Sequence, residues 1–184
     1  ERLEGKQIFL NTGSGPTFPP LPGLNKNPYV YTSDALLMRK ELPKQLVIIG
    51  AGYIGVEFAS LYADFGSQVT VLQDGERFLP REDAEIADTV RENLKNRGVE
   101  VLTGVQLTSV SATDKHALVT LLRGEEPISR NADAVLVATG RIPNTAELGL
   151  ENAGVELTAR GGVVTDEHLR TNVPHIYAMG DVLG

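Results

Sequence analysis

The sequence predicts an α/β fold: a parallel sheet flanked by helices, with a β-meander crossover. Three observations point to it. Residues 46–49, 69–72 and 134–138 read as short strands, and 46–49 and 134–138 are continuous apolar runs, as expected of strands covered on both faces. Segments with helical apolar spacing follow the first two runs. Before the third run, short candidate strands at 105–110, 117–122 and 126–130 are joined by polar turns, which reads as a meander.

The elements follow in order. Residues 6–11 read as a strand that runs into a turn cluster, Thr12-Gly13-Ser14-Gly15-Pro16. Residues 16–28 hold five of the ten prolines and read as an extended linker or surface crossover. Thr32-Ser33-Asp34 before Ala35-Leu36-Leu37 predicts one capped helical turn. The strand at 46–49 meets Gly50-Ala51-Gly52-Tyr53-Ile54-Gly55. A helix over 56–65 follows, with Ile54, Phe58, Leu61 and Phe65 as its apolar stripe and Gly66 as its stop. After the strand at 69–72, Asp83 caps a helix over 83–97 bearing Ile86, Val90 and Leu94, and Gly98 ends it. A strand at 99–102 precedes the meander. Residues 176–178 form the last strand.

Composition narrows the function. Among 184 residues there is no cysteine, which excludes a disulfide framework, a zinc–thiolate site, an iron–sulfur ligand set and a thiol nucleophile within this chain. The net charge is −7 and no basic run stands out, so neither nucleic acid nor an anionic membrane is an expected partner. No apolar stretch approaches the ~20 residues of a membrane span, and no signal peptide is visible. A cytoplasmic location is the expectation. Glu1 and Gly184 both read as cuts in a longer chain.

The motif Gly50-x-Gly52-x-x-Gly55 carries the strongest chemical signal. It follows an apolar strand, opens an amphipathic helix and leads to a second strand, the Rossmann-like context in which it binds a dinucleotide. Gly50 serves the tight turn, Gly52 the approach of a pyrophosphate, and Gly55 the close packing of helix on strand. At the end of the second strand an acid suits the NAD ribose and an arginine suits the NADP phosphate. Here the residues are Gln73 and Asp74, with Arg77 and Arg81 beyond. Gln73 offers a neutral hydrogen bond, and Asp74 would repel a 2′-phosphate, so the reading favours NAD(H) over NADP(H).

The stretches Gly50 to Ala59, Ala138-Thr139-Gly140-Arg141-Ile142-Pro143-Asn144, and Thr171 to Asp181 resemble the pyridine nucleotide–disulfide oxidoreductases. These FAD-dependent enzymes include those similar to dihydrolipoamide dehydrogenase, glutathione reductase and mercuric reductase. Asn11-Thr12-Gly13-Ser14 and its proline-rich sequel add to the likeness, which covers nearly the whole chain. The resemblance implies an NAD(P)-binding domain at residues 43–162. Residues 1–42 would be an FAD-domain edge and linker, and 163–184 a returning FAD-domain segment. It implies that Gly50, Gly52 and Gly55 hold the NAD(P) pyrophosphate, that Ile54 within the same motif is a cofactor-binding residue, and that Tyr53 and Glu57 lie near the nicotinamide. Gly140 would lie against the nucleotide, and Gly180 and Asp181 against the FAD ribityl chain.

The same resemblance implies FAD in the intact parent, further FAD and dimerisation domains, and a homodimeric parent. The family's redox cysteine pair and His-Glu dyad have no match here. His116, His168 and His175 read as structural or surface residues. No catalytic side chain and no metal ligand set is expected within this chain, which would be inactive alone. Two alternatives stand beside a disulfide reductase: an NADH oxidase or ferredoxin-reductase-like flavoenzyme, and a non-catalytic nucleotide-binding module.

Overall fold

The structure, a computed structural model, describes residues 3–184. The reading of a cut at Glu1 lies outside the described residues. The chain forms two units, one from Thr17–Gly140 and one from residues 3–16 with Arg141–Gly184. Strands β1 (Ile8–Leu10) and β2 (Ser14–Pro16) belong to the second of these.

In the larger unit, β3 (Val30–Tyr31) leads to the short helix α1 (Ser33–Leu37), where Thr32 Oγ1 accepts the Ala35 N–H as the sequence predicts. Then come β4 (Gln45–Ile49), α2 (Tyr53–Asp64), β5 (Gln68–Leu72), α3 (Ala84–Asn96) and β6 (Glu100–Leu102). The meander is β7 (Val105–Ala112), β8 (Ala117–Arg123) and β9 (Glu126–Ala132), and β10 (Ala134–Val137) returns to the main sheet. The main sheet has the order β3-β10-β4-β5-β6, every neighbouring pair parallel. The meander is a separate antiparallel sheet.

The continuous apolar runs have a simple cause: both faces of the main sheet are covered. Leu46 and Ile48 of β4 face a core shared with Phe58, Tyr62, Ala87 and Leu94 of the helices. Val47 and Ile49 face a second core with Val110, Val119 and Leu121 of the meander. Each fully buried Val, Leu or Ile stabilises the fold by ~1.5–3 kcal/mol relative to exposure. The predicted class holds, with helices on one face and the meander on the other.

Three expectations change. First, α2 begins at Tyr53 and buries Gly55, Phe58, Ala59 and Tyr62; Leu61 and Phe65 are exposed. Small residues let this face approach the sheet, so the buried stripe is displaced from the one hydrophobicity suggests. In α3, likewise, Ala87 and Leu94 are buried while Ile86 is exposed. Second, the proline-rich segment is packed. Leu24 is 1% exposed in the meander-side core, and Pro22 O accepts the Val110 N–H at 3.0 Å. The residues just beyond it supply β3, the edge partner of β10. Third, the turn cluster at 12–16 contains β2.

In the smaller unit, β11 (Arg141–Pro143) pairs antiparallel with β2, and β12 (Ile176–Ala178) pairs parallel with β1. Its core gathers Leu150, Val155, Val163, Ile176, Ala178 and Val182. Among the described residues no helix is long and apolar enough to cross a membrane.

Candidate functional site

In the larger unit, β4 is flanked by β5 on one side and β10 on the other. The chain leaves β4 toward β5 and β6, so the strand order reverses between β4 and β10. Ligands of open α/β sheets bind outside the carboxyl ends of strands at such a reversal. The glycine loop lies there. Gly50 has φ +107°, its N–H donates to Leu72 O at 2.8 Å, and any Cβ on it would collide with the Ala138 carbonyl. A Cβ on Gly55 would collide with the Gly50 carbonyl and touch Ile48 Cγ2 at 3.4 Å. These two glycines are required by the packing of the protein itself.

Gly52 differs. It is the N-cap of α2 in ordinary extended geometry (φ −84°, ψ −174°), and among the described residues nothing beyond the adjoining stretch of chain lies within 4 Å of its Cβ position. Neither backbone strain nor internal packing demands a glycine. The open position sits at a helix N-terminus with no side-chain cap and no acid in its first turn. Free N–H groups and the positive end of the helix dipole there suit phosphate oxygens. The loop therefore fits a dinucleotide pyrophosphate: the one glycine the protein does not need is the one a ligand would.

At the end of β5, the Gln73 carboxamide spans two groups. Its Oε1 accepts the Ala51 N–H of the glycine loop at 2.9 Å, and its Nε2 donates to Asp74 Oδ1 at 2.9 Å. Asp74 Oδ1 also accepts the Gly75 N–H at 2.8 Å. Gln73 is thus a brace for the loop, and Asp74 is exposed; among the described residues its other carboxylate oxygen has no hydrogen-bond partner. Glu76 lies over Gly104, and Arg77 Nη2 donates to Glu82 O at 3.3 Å.

Tyr53 is 54% exposed, and its hydroxyl donates to Glu82 Oε1 at 2.5 Å. That hydrogen bond and the carboxylate's charge hold the phenol's pKa above its ordinary value, with Arg81 opposing. Ile54 is half-buried against the helix-side core, while Glu57 is exposed and, among the described residues, has no hydrogen bond or ion pair. Gly140 follows β10 at φ +125°, with open space at its Cβ position. Its carbonyl accepts the Thr17 N–H at 2.9 Å, and Thr139 Oγ1 donates to Thr17 O at 2.7 Å. The larger unit thus brings the glycine loop, Gln73, Asp74 and Gly140 to the carboxyl end of one sheet.

Gly180 and Asp181 belong to the smaller unit. Gly180 has φ +75°, and a Cβ there would come within 2.9 Å of Asn11 Oδ1. Asp181 is exposed, and its Oδ2 accepts the Ser14 hydroxyl at 3.0 Å. Arg141 Nε donates to Ser14 Oγ at 2.8 Å, and its Nη2 donates to Ser14 O at 2.6 Å. Sequence reasoning assigned no role to Ser14, Arg141 or Glu82. Ser14 and Arg141 stand inside the motifs that carry the resemblance. Glu82 has no such signal, because only the loop's path brings it to Tyr53. Among the described residues no group of three or more His, Asp or Glu could hold a metal ion.

A parallel sheet with a glycine loop at its reversal point defines a dinucleotide-binding fold. The sequence model of the family described as pyridine nucleotide-disulphide oxidoreductase matches residues 1–184, and the chain belongs to that family. It is 44% identical over 182 residues to a probable pyridine nucleotide-disulfide oxidoreductase, RclA, of Escherichia coli (strain K12), covering 99% of this chain and 40% of the relative. The solved structure of the HOCl-induced flavoprotein disulfide reductase RclA from Escherichia coli superposes with a TM-score of 0.91 over 98% of this chain and 41% of that one. A dihydrolipoyl dehydrogenase of Bacillus subtilis (strain 168) is 42% identical over 180 residues, 97% of this chain and 38% of the relative. An engineered water-forming NADPH oxidase, solved with NADPH bound, is 26% identical with a TM-score of 0.84, covering 96% and 39%. The chain spans about 40% of the length of the curated relatives it matches.

Proposed function

We infer that this chain is the NAD(P)H-binding region of an FAD-dependent pyridine nucleotide-disulfide oxidoreductase. The observation that carries the reading is the open Cβ position of Gly52 at the uncapped N-terminus of α2. Gly50, Gly52, Ile54 and Gly55 would hold the pyrophosphate, with Gln73 bracing the loop. Tyr53, Glu57 and Gly140 would face the nicotinamide end. The free oxygen of Asp74 favours ribose hydroxyls over a 2′-phosphate, hence NAD(H) over NADP(H). Gly180 and the Ser14-oriented carboxylate of Asp181 would face the hydroxyl-rich chain of FAD. When bound, the two cofactors supply the hydride chemistry, and the protein positions them.

With no cysteine in this chain, a disulfide acceptor would require residues outside it. The fragment alone is therefore inactive in this reading, and the parent is a homodimer in the cytoplasm. The likeness to an NADPH oxidase supports a second reading, in which the parent passes electrons to oxygen. Calorimetric titration with NADH and NADPH tests the core of the proposal. Binding of NADH, and weaker binding of NADPH, is expected. No binding of either at millimolar concentration overturns it.

A further inference from the structure

The main sheet ends at β6, which among the described residues pairs only with β5. The Gln73 N–H donates to Leu102 O at 2.9 Å, so Leu102 turns its backbone groups toward β5. Backbone groups alternate sides along a strand, so the N–H and C=O of Val101 point out from the open edge. Helix α3 runs beside that edge. A groove of about 510 Å³ lies between the two, lined by Asp88, Arg91, Glu92 and Lys95 of the helix and by Val99 and Val101. The four charged side chains are exposed. The glycine loop follows β4, two strands in from this edge, so the groove is independent of the dinucleotide reading.

The order of charge along this helix face is self-complementary. Positions 88, 91, 92 and 95 share one stripe at helical spacing and read acid, base, acid, base. A two-fold axis between Arg91 and Glu92 sets a second copy's helix antiparallel to the first. Asp88 then meets Lys95 of the second copy, Arg91 meets Glu92, and symmetry repeats both contacts. Every contact joins opposite charges, as a self-complementary interface needs. In-register parallel packing would set like charges against like. The strand obeys the same axis. Val101 opposite itself is the antiparallel pair whose two residues exchange both N–H···O=C bonds. The point between Arg91 and Glu92 lies ~7 Å back from the end of α3, at about 1.5 Å per residue. Val101 lies ~7 Å beyond Val99, at about 3.3 Å per residue. Helix and strand run in opposite directions, so one axis serves both.

We propose that the edge formed by α3 and β6 docks a second copy of this chain, joining two five-stranded sheets through paired β6 strands. One helix face and a three-residue strand make a small interface, below ~1,200 Å² in total, at the weak end of specific contacts. A Kd of about 10–500 µM is expected. Within one chain Lys95 Nζ lies 3.6 Å from Glu92 Oε2, a largely exposed pair that is weak enough to exchange partners.

Sedimentation equilibrium of this chain, up to about millimolar concentration, tests the proposal. A monomer–dimer equilibrium is expected, weakened at least about threefold when salt rises from about 20 to 500 mM. R91E sets acid against acid and E92R sets base against base, so each alone should raise Kd at least about tenfold. The exchanged variant R91E/E92R restores every pair and should dimerise like the unmodified chain. An equimolar mixture of R91E and E92R should form the heterodimer. V101P removes the outward N–H at a position where a strand edge tolerates proline, and should also lose the dimer. Circular dichroism reports the folding of each variant, and the charge exchange decides the matter should V101P unfold. A chain monomeric at millimolar concentration overturns the proposal. So does a dimer that R91E and E92R leave intact, which would move the contact to another face, such as the exposed Phe9 stacked on Tyr177. A folded R91E/E92R that stays monomeric, or a folded V101P that still dimerises, overturns it as well.

Discussion

Replacing Gly52 by alanine separates recognition from folding, because the structure gives this glycine no internal duty. Its φ and ψ are ordinary, and among the described residues an added methyl meets nothing within 4 Å beyond the adjoining stretch of chain. Alanine is the poorer N-cap by roughly 0.5–1 kcal/mol. The restricted unfolded chain returns roughly 0.4–1 kcal/mol. The net change in stability should stay within about 0.5 kcal/mol. Binding should suffer far more. A methyl at this point holds the pyrophosphate off the helix N–H groups, and hydrogen bonds to a charged group contribute about 1.5–3 kcal/mol. The Kd for NADH should therefore rise about ten- to a hundredfold.

Gly55→Ala is the control. Its methyl would collide with the Gly50 carbonyl, so α2 must shift from the sheet. Overpacking of this kind costs roughly 1–3 kcal/mol, of which alanine's better helix propensity offsets ~0.5–1. Urea titration followed by circular dichroism measures the stabilities, and calorimetry measures binding. If Gly52→Ala destabilises the fold as much as Gly55→Ala, or binds NADH undiminished, the assignment of Gly52 to a ligand is wrong.

Three further outcomes are expected. Leu24→Ala should lose roughly 2–4 kcal/mol in urea titration, because the side chain is buried in the meander-side core; a loss near zero would mark residues 16–28 as a linker. Asp74→Arg should shift the ratio of NADPH to NADH affinity toward NADPH by about tenfold, since a guanidinium replaces a repelling carboxylate; an unchanged ratio removes Asp74 from the ribose site. The Arg130 guanidinium, bonded to Glu100 at 2.8 and 3.2 Å, holds that carboxyl below its ordinary pKa of 4.5. A depressed folded-state pKa means stabilisation that is complete above 4.5 and lost as pH falls through the lower, folded value. The pair is partly exposed, so its worth is under ~1 kcal/mol. Stabilities of the unmodified chain and Glu100→Gln, followed from about pH 6 to pH 3, should converge on acidification.

The sheet was legible because burial on both faces leaves a signature that needs no partner: Leu46 to Ile49 and Ala134 to Val137 are apolar at every position. The glycine loop was legible for a related reason, since its constraints are local backbone contacts. The buried side of α2 was not. Period 3.6 allows more than one face, and Gly55 and Ala59 are chosen by closeness to the sheet, which hydrophobicity does not report. Strand β3 was missed because two residues beside a proline-rich run carry too short a pattern. The brace from Gln73 to Ala51 was hidden because its partner is a backbone N–H, and the bond from Tyr53 to Glu82 because the turn at Leu79 creates it.

The place of β10 in the main sheet has a consequence for how the protein is made. Val30 and Leu46 both pair with this one strand, which arrives more than half the chain after β3. A nascent chain emerging from the ribosome therefore carries β3 and β4 with facing, unfilled edges until the whole meander has been synthesised. Contacts of such long range form slowly, and open strand edges invite pairing with other chains. The step that closes the sheet is insertion of an interior strand, and premature termination before Ala134 would leave an apolar slot in place of a finished core.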